Sequence, residues 1–193
     1  MNRIEQAIVY ATLWHQGQCR KGTDTPYITH PLKTMSYLLD MGADEDLVIA
    51  GLLHDVLEDT NTIAEEIEKL FGENVVELVT AHSENKSLPW KHRKEITIDE
   101  CKHASRAVRM LIMADTMANL ADTVEDVAKH GDNVWNRFNT TKDKQAWYYW
   151  NKVLALQDLT NDDPDINRQY DKMNKMCYEV FGMPSVEWLV WND

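Results

Sequence analysis

The segment Ala50-Gly51-Leu52-Leu53-His54-Asp55-Val56-Leu57-Glu58-Asp59-Thr60 sets four ionisable side chains into an otherwise apolar stretch. In a helix, residues 54 and 58, and 55 and 59, stand four positions apart and share one wall of the helix end. Three carboxylates held that close raise one another's pKa unless a cation compensates them. A divalent metal does so, and imidazole nitrogen with carboxylate oxygen suits Mn²⁺, Fe²⁺, Co²⁺ or Zn²⁺. The competing account is a polar helix C-terminus carrying a solvated charge run. Two other segments weigh against it. His30 directly precedes Pro31 at the mouth of a helix, which gives its ring a fixed entry point. Asp115 interrupts Leu111-Ile112-Met113-Ala114 and Met117-Ala118, a run apolar enough to be buried, where an unpaired carboxylate costs several kcal/mol. A buried arginine or a cap would also satisfy it. Together the three segments offer two histidines and two aspartates.

Helices must position these groups. Asn2 with Glu5 makes a capping box for a first helix, whose inner stripe is Ile4, Ala7, Ile8, Ala11 and Trp14. Residues 17–27 form a loop by their glycines and proline. Pro31 suits the first turn of a second helix, which Gly42 ends. Asp44 caps a third through about Leu57. Thr62-Ile63-Ala64-Glu65 predicts a capping box for a fourth, stopped by Gly72. A fifth runs from Asn74 to about His82. Further helices are predicted from Trp90 to about Lys102, from Ser105 to about Lys129, over 141–159, from Pro164 to near Gly182, and over 185–191. No segment reads as a strand, so the fold class is all-α.

A chain of 193 residues with 44% hydrophobic and 27% charged residues suits one globular domain. We read 1–193 as that domain, with the motifs in about 1–130 and the helices of 131–193 packed on it. The net charge of −12 disfavours a nucleic-acid partner. A small phosphorylated substrate then needs a metal and a few placed cations. No apolar run approaches the ~20 residues of a membrane span. Met1-Asn2-Arg3-Ile4-Glu5 lacks the layout of a signal peptide, and Cys19, Cys101 and Cys177 are in no metal-ligand spacing. These features predict a cytoplasmic protein. A homo-oligomer is compatible with them.

The order His30 … His54-Asp55 … Asp115 resembles that of the HD-domain phosphohydrolases. Gly17-Gln18-Cys19-Arg20-Lys21-Gly22, Pro26-Tyr27-Ile28-Thr29-His30-Pro31-Leu32 and the segment 50–60 are more specific: they resemble the hydrolase domain of RelA/SpoT proteins. Stand-alone small alarmone hydrolases of the metazoan SpoT homologue type share that domain. The similarity is strongest over residues 1–80 and returns at 106–127.

The resemblance implies packed helices and one Mn²⁺, or another divalent transition metal, held by His30, His54, Asp55 and Asp115. It implies hydrolysis of guanosine 3′,5′-bis(diphosphate), ppGpp, with release of pyrophosphate. Glu58 and Asp59 match the acidic pair at the attacking water, and either can accept its proton. Arg20 and Lys21 match positions that contact the nucleotide, and Asn119 matches an asparagine near the sugar. Lys142 and Tyr148 belong to a segment similar to the family's late aromatic helix. Lys86, Lys91, Arg93 and Lys94 read either as phosphate-neutralising cations or as an exposed charged helix. The chain departs from the family where Arg, His and a second Arg are replaced by Thr116, Ala118 and Ala121, and where Ala81-His82 follows Thr80. Loss of positive charge there keeps two other readings open: hydrolysis of another nucleotide or small phosphorylated metabolite, and a non-catalytic nucleotide-binding module.

Overall fold

The computed structural model describes residues 1–161 and 163–185. The helix expected over 185–191 lies outside them from residue 186 onward. The described helices are α1 (Arg3–Trp14), α2 (Thr29–Asp40), α3 (Glu45–Leu53), α4 (Val56–Asp59), α5 (Ala64–Phe71), α6 (Glu73–His82), α7 (Trp90–His103), α8 (Arg106–His130), α9 (Lys142–Ala155) and α10 (Pro164–Phe181). Short 3-10 turns cover Gly131–Arg137 and Gln157–Thr160. An isolated antiparallel bridge joins Cys19 and Pro26 across the base of the first loop. The fold is all-α, and no described helix is long and apolar enough to cross a membrane.

Local chemistry explains most of the boundaries. Asn2 and Glu5 close the reciprocal capping box at α1. Asp44 accepts the Leu47 N–H at 2.9 Å, and Asp163 accepts the Asp165 and Ile166 N–H groups ahead of Pro164. Two boundaries differ from the sequence reading. The box at Thr62 does not form: Ile63 is the N-cap of α5, and Thr62 Oγ1 pairs with Tyr10 Oη at 3.0 Å. A long-range partner has outcompeted the local cap. The third helix also does not run to Leu57, because it breaks at His54-Asp55 before α4 begins.

Helix α8 is the central element, packed against α2, α3, α6, α7 and α10. Leu111, Ile112, Met113, Met117 and Leu120 on it are fully buried, as are Leu38, Ile49, Leu52 and Leu53 on α2 and α3. Each such side chain stabilises the fold by ~1.5–3 kcal/mol. Gly51 governs how closely α3 meets α2. A Cβ there would stand 2.3 Å from Leu38 Cδ1, in a core that leaves Leu38 no room to move. Close approach of these helices brings the end of α3 to the first turn of α2, and so His54 to His30.

Candidate active site

Three helix ends and the middle of α8 deliver the ionisable groups. His30 lies in the first turn of α2 and is buried, and His54 occupies the break after α3 with no exposure at all. The His54 Nδ1–H can donate to the Gly51 carbonyl at 2.8 Å, which turns the Nε2 lone pair inward. There Nε2 meets His30 Nε2 at 3.1 Å. His30 Nε2 is also 3.2 Å from Asp115 Oδ1 and 3.4 Å from Asp55 Oδ2, while His54 Nε2 is 3.2 Å from Asp55 Oδ2. Ligand atoms of His30, His54 and Asp115 all lie within 4.8 Å of one another, with Asp55 beside both rings.

This donor set fits a divalent cation. Two ligand atoms each ~2.1 Å from one ion stand roughly 3–4 Å apart, the spacing seen here. Two imidazole lone pairs aimed at each other also need something between them. Burial opposes charge on His54, but Asp55 and Asp115 outweigh it and raise its pKa to about 9. Against the same burial, the imidazoles hold Asp55 and Asp115 well below the usual carboxylate range. The protein thus gathers negative charge around a point where a proton, or a metal, must sit. His82, from the end of α6, stands 3.9 Å from Asp115 Oδ2, and burial lowers its pKa to about 4.

A cavity of about 340 Å³ opens onto this cluster. Glu58 and Asp59 both line it. Although α3 is broken, the Asp59 N–H still reaches the Asp55 carbonyl at 2.9 Å, so these two side chains share a wall as their spacing predicted. Tyr27 ties them together: its hydroxyl donates to Asp55 Oδ2 at 2.7 Å or to Asp59 Oδ2 at 3.1 Å. Its ring stacks on His15 and carries the Arg20 guanidinium at 5.4 Å. Glu58 Oε1 accepts the Glu84 N–H at 2.6 Å, and Lys86 Nζ contacts Asp59 Oδ1 at 2.5 Å. Burial raises the Glu58 pKa in spite of the Glu84 N–H, and Asp55 adds to the rise.

The nucleotide-contact residues separate on folding. Arg20 lines the cavity and is held by Asp122 at 3.0 Å and by Asn119 Oδ1 at 2.6 Å. Asn119 in turn donates to Asp115 Oδ1 at 2.7 Å, joining Arg20 to the cluster. Tyr148 forms part of the wall. Lys21 faces an adjacent cavity of about 400 Å³ and bonds Asn139 at 3.3 Å. Lys142 is not brought to either cavity. It pairs with Asp132 on the surface, because its place at the first turn of α9 points it away from the wall that Tyr148 builds.

Several contributors were not singled out from sequence. Tyr27 sits one turn before His30, a spacing that could have marked it. Lys152 hides in an aromatic helix, and Glu84 lies in a polar loop where it holds Arg93 and Lys94 at 2.5 Å each. Those two cations line the cavity, so α7 is not merely an exposed charged helix. Thr116 and Ala118, by contrast, are fully buried and touch no solvent.

The chain is similar to several known proteins. A guanosine-3′,5′-bis(diphosphate) 3′-pyrophosphohydrolase, MESH1, of Xenopus tropicalis is 38% identical over 122 residues, covering 62% of this chain and 68% of its own. The crystal structure of lmo0812 from Listeria monocytogenes superposes with a TM-score of 0.73 at 32% identity, over 80% of this chain and 99% of that one. A metazoan orthologue of SpoT, described as hydrolysing ppGpp, gives a TM-score of 0.73 at 27% identity over 91% and 95%. The HD-domain family model matches residues 7–143, a stretch that contains the His54-Asp55 break and both of its partner ligands, and the chain belongs to that family.

Proposed function

We propose that this protein is a metal-dependent pyrophosphohydrolase that removes the 3′-diphosphate of ppGpp as pyrophosphate and leaves GDP. One observation carries the reading. In a chain of net charge −12, a cluster of two imidazoles and two carboxylates opens into a cavity walled by Arg20, Lys86, Arg93, Lys94 and Lys152. The relatives named as ppGpp hydrolases support the choice of substrate.

His30, His54, Asp55 and Asp115 would hold the ion, for which we favour Mn²⁺. Its chemistry when bound is Lewis acidity, which makes water a better nucleophile and draws charge from phosphoryl oxygens. The residues do the rest. Glu58 has one oxygen anchored by the Glu84 N–H, and its raised pKa suits a proton acceptor near neutrality. We assign it the proton of the attacking water. Asp59, held by Tyr27 and Lys86, orients that water. The water oxygen bonds to the phosphorus attached to O3′, the P–O3′ bond breaks, and the proton passes to O3′ as the nucleoside leaves. We assign Arg20 and Asn119 to the sugar and base, with Lys21 at the adjoining cavity. We read the whole chain as one cytoplasmic domain with three free thiols.

A second reading has its own support. The metal-facing cavity is charge-balanced by its own side chains, since Asp55, Glu58, Asp59, Glu84 and Asp115 line it beside the five cations, whereas the adjoining cavity sets Arg20, Lys21, Lys33, Lys129 and Arg137 against Asp122, Glu125 and Asp126. The side chains of the metal-facing cavity alone thus give a diphosphate little attraction, which favours a nucleotide less charged than ppGpp, while the excess of cations in the adjoining cavity suits a second diphosphate. Product analysis by ion-exchange chromatography on a nucleotide panel tests both. Pyrophosphate and GDP from ppGpp support the first reading. Turnover of simpler nucleotides with none of ppGpp supports the second, and no turnover of any sinks both.

A further inference from the structure

Of the cations lining the metal-facing cavity, four make ion pairs: Arg20 with Asp122, Lys86 with Asp59, and Arg93 and Lys94, which share Glu84. Lys152 makes none among the described residues. It is 2% exposed and yet lines the cavity. Its side chain folds back along α9, and Nζ lies over the rings of Tyr148 and Tyr149 at 4.1 and 4.7 Å. Among the described residues, no hydrogen bond or ion pair reaches the ammonium.

A lysine this buried, whose ammonium has two aromatic faces and the cavity as its surroundings, is a costly arrangement, and buried lysines without a pair are rare. Any apolar side chain of similar length would fill the space better. Burial lowers its pKa to about 8, and the field of Asp115 and Glu84 opposes the fall. A cation that faces the cavity and makes no ion pair is free to take an anionic ligand there.

We propose that Lys152 is an anion-binding residue of this cavity, whose ammonium donates to an oxygen of the 3′-diphosphate on the wall built by α7 and α9. The assignment rests on the pyrophosphohydrolase reading for the name of the anion. That Lys152 makes no ion pair among the described residues does not depend on that reading.

The test uses the metal-loaded protein and inorganic pyrophosphate as the probe, with GDP as the comparison ligand. Binding is measured by calorimetry for wild type, Lys152→Met and Lys152→Arg at matched metal content. Met keeps the length and the aromatic contacts without the charge. Pyrophosphate affinity is expected to fall about 10- to 100-fold in Lys152→Met, the worth of one hydrogen bond to a charged group, and to recover partly in Lys152→Arg. GDP affinity should be unchanged, and the thermal midpoint of Lys152→Met should be equal or higher, which a purely structural lysine would not allow. Unchanged pyrophosphate affinity in Lys152→Met, a loss confined to GDP, or a variant that no longer folds would each overturn the proposal. If wild type binds pyrophosphate through Lys152 but does not cleave ppGpp, the substrate assignment fails and the anion site stands.

Discussion

Tyr27→Phe removes one oxygen and leaves the ring. The hydroxyl donates to Asp55 Oδ2 at 2.7 Å, and Asp59 Oδ2 lies within reach at 3.1 Å. Burial, with Asp55 and Asp59 adding to it, drives the phenol pKa far above its ordinary value, so it stays a donor at every working pH. A hydrogen bond to a charged group contributes ~1.5–3 kcal/mol, which is roughly 10- to 150-fold in an equilibrium constant. The Asp55 contact deserves the full range, because that side chain is only 17% exposed. The Asp59 contact is discounted, because at 33% exposure water replaces part of it. Losing a partner that orients a metal ligand typically weakens metal affinity or activity ~10–100-fold, in agreement with the bond energy. We therefore expect Tyr27→Phe to weaken metal binding by about that factor and to lower turnover at saturating metal, since Asp59 also loses its guide. The stack on His15 survives, so the fold should hold. Calorimetric metal titration and pyrophosphate release at several metal concentrations provide the readout. Metal affinity within about twofold of wild type, with unchanged turnover, would refute the idea that Tyr27 positions the two carboxylates.

Three other outcomes follow from the same geometry. Glu58→Gln with Asp59→Asn should keep the metal, by elemental analysis, while turnover drops ~10²–10⁴-fold; full activity in this variant would remove the pair from the mechanism. Because burial raises the Glu58 pKa and only its ionised form accepts a proton, kcat should be low on the acid side and rise with pH through that raised value. In Glu58→Gln this limb should disappear, and an unchanged pH profile would assign the proton to another group. Gly51→Ala should lower the thermal midpoint by about 2–8 °C, since a methyl group 2.3 Å from Leu38 forces α2 and α3 apart. A midpoint at or above that of wild type would show that Leu38 yields freely.

The helices were legible where the signal is local. Asn2-Glu5, Asp44, Ser105 and Asp163-Pro164 mark their own helix starts, because a side chain three positions away is always within reach. Thr62 failed for the opposite reason: Tyr10, fifty-two positions away, claims its hydroxyl. The metal cluster was legible because a histidine and carboxylates in apolar sequence need a compensating charge wherever the chain folds. The break at His54-Asp55 was not, since apolar periodicity continues through Val56 and Leu57 and records no interruption of the backbone. Side-chain direction was the other blind spot. Lys142 and Lys152 lie ten residues apart on α9, and only packing against α7 and α10 decides that one reaches solvent and the other the cavity.

Metal content per chain, measured by elemental analysis after dialysis on wild type, His54→Ala and Asp115→Ala side by side, bears most directly on the central claim. Two inward Nε2 atoms 3.1 Å apart and the Asp115 carboxylate beside them predict about one divalent ion per wild-type chain and none in either variant. Equal metal in all three proteins would contradict the site, and with it the hydrolytic function built on it.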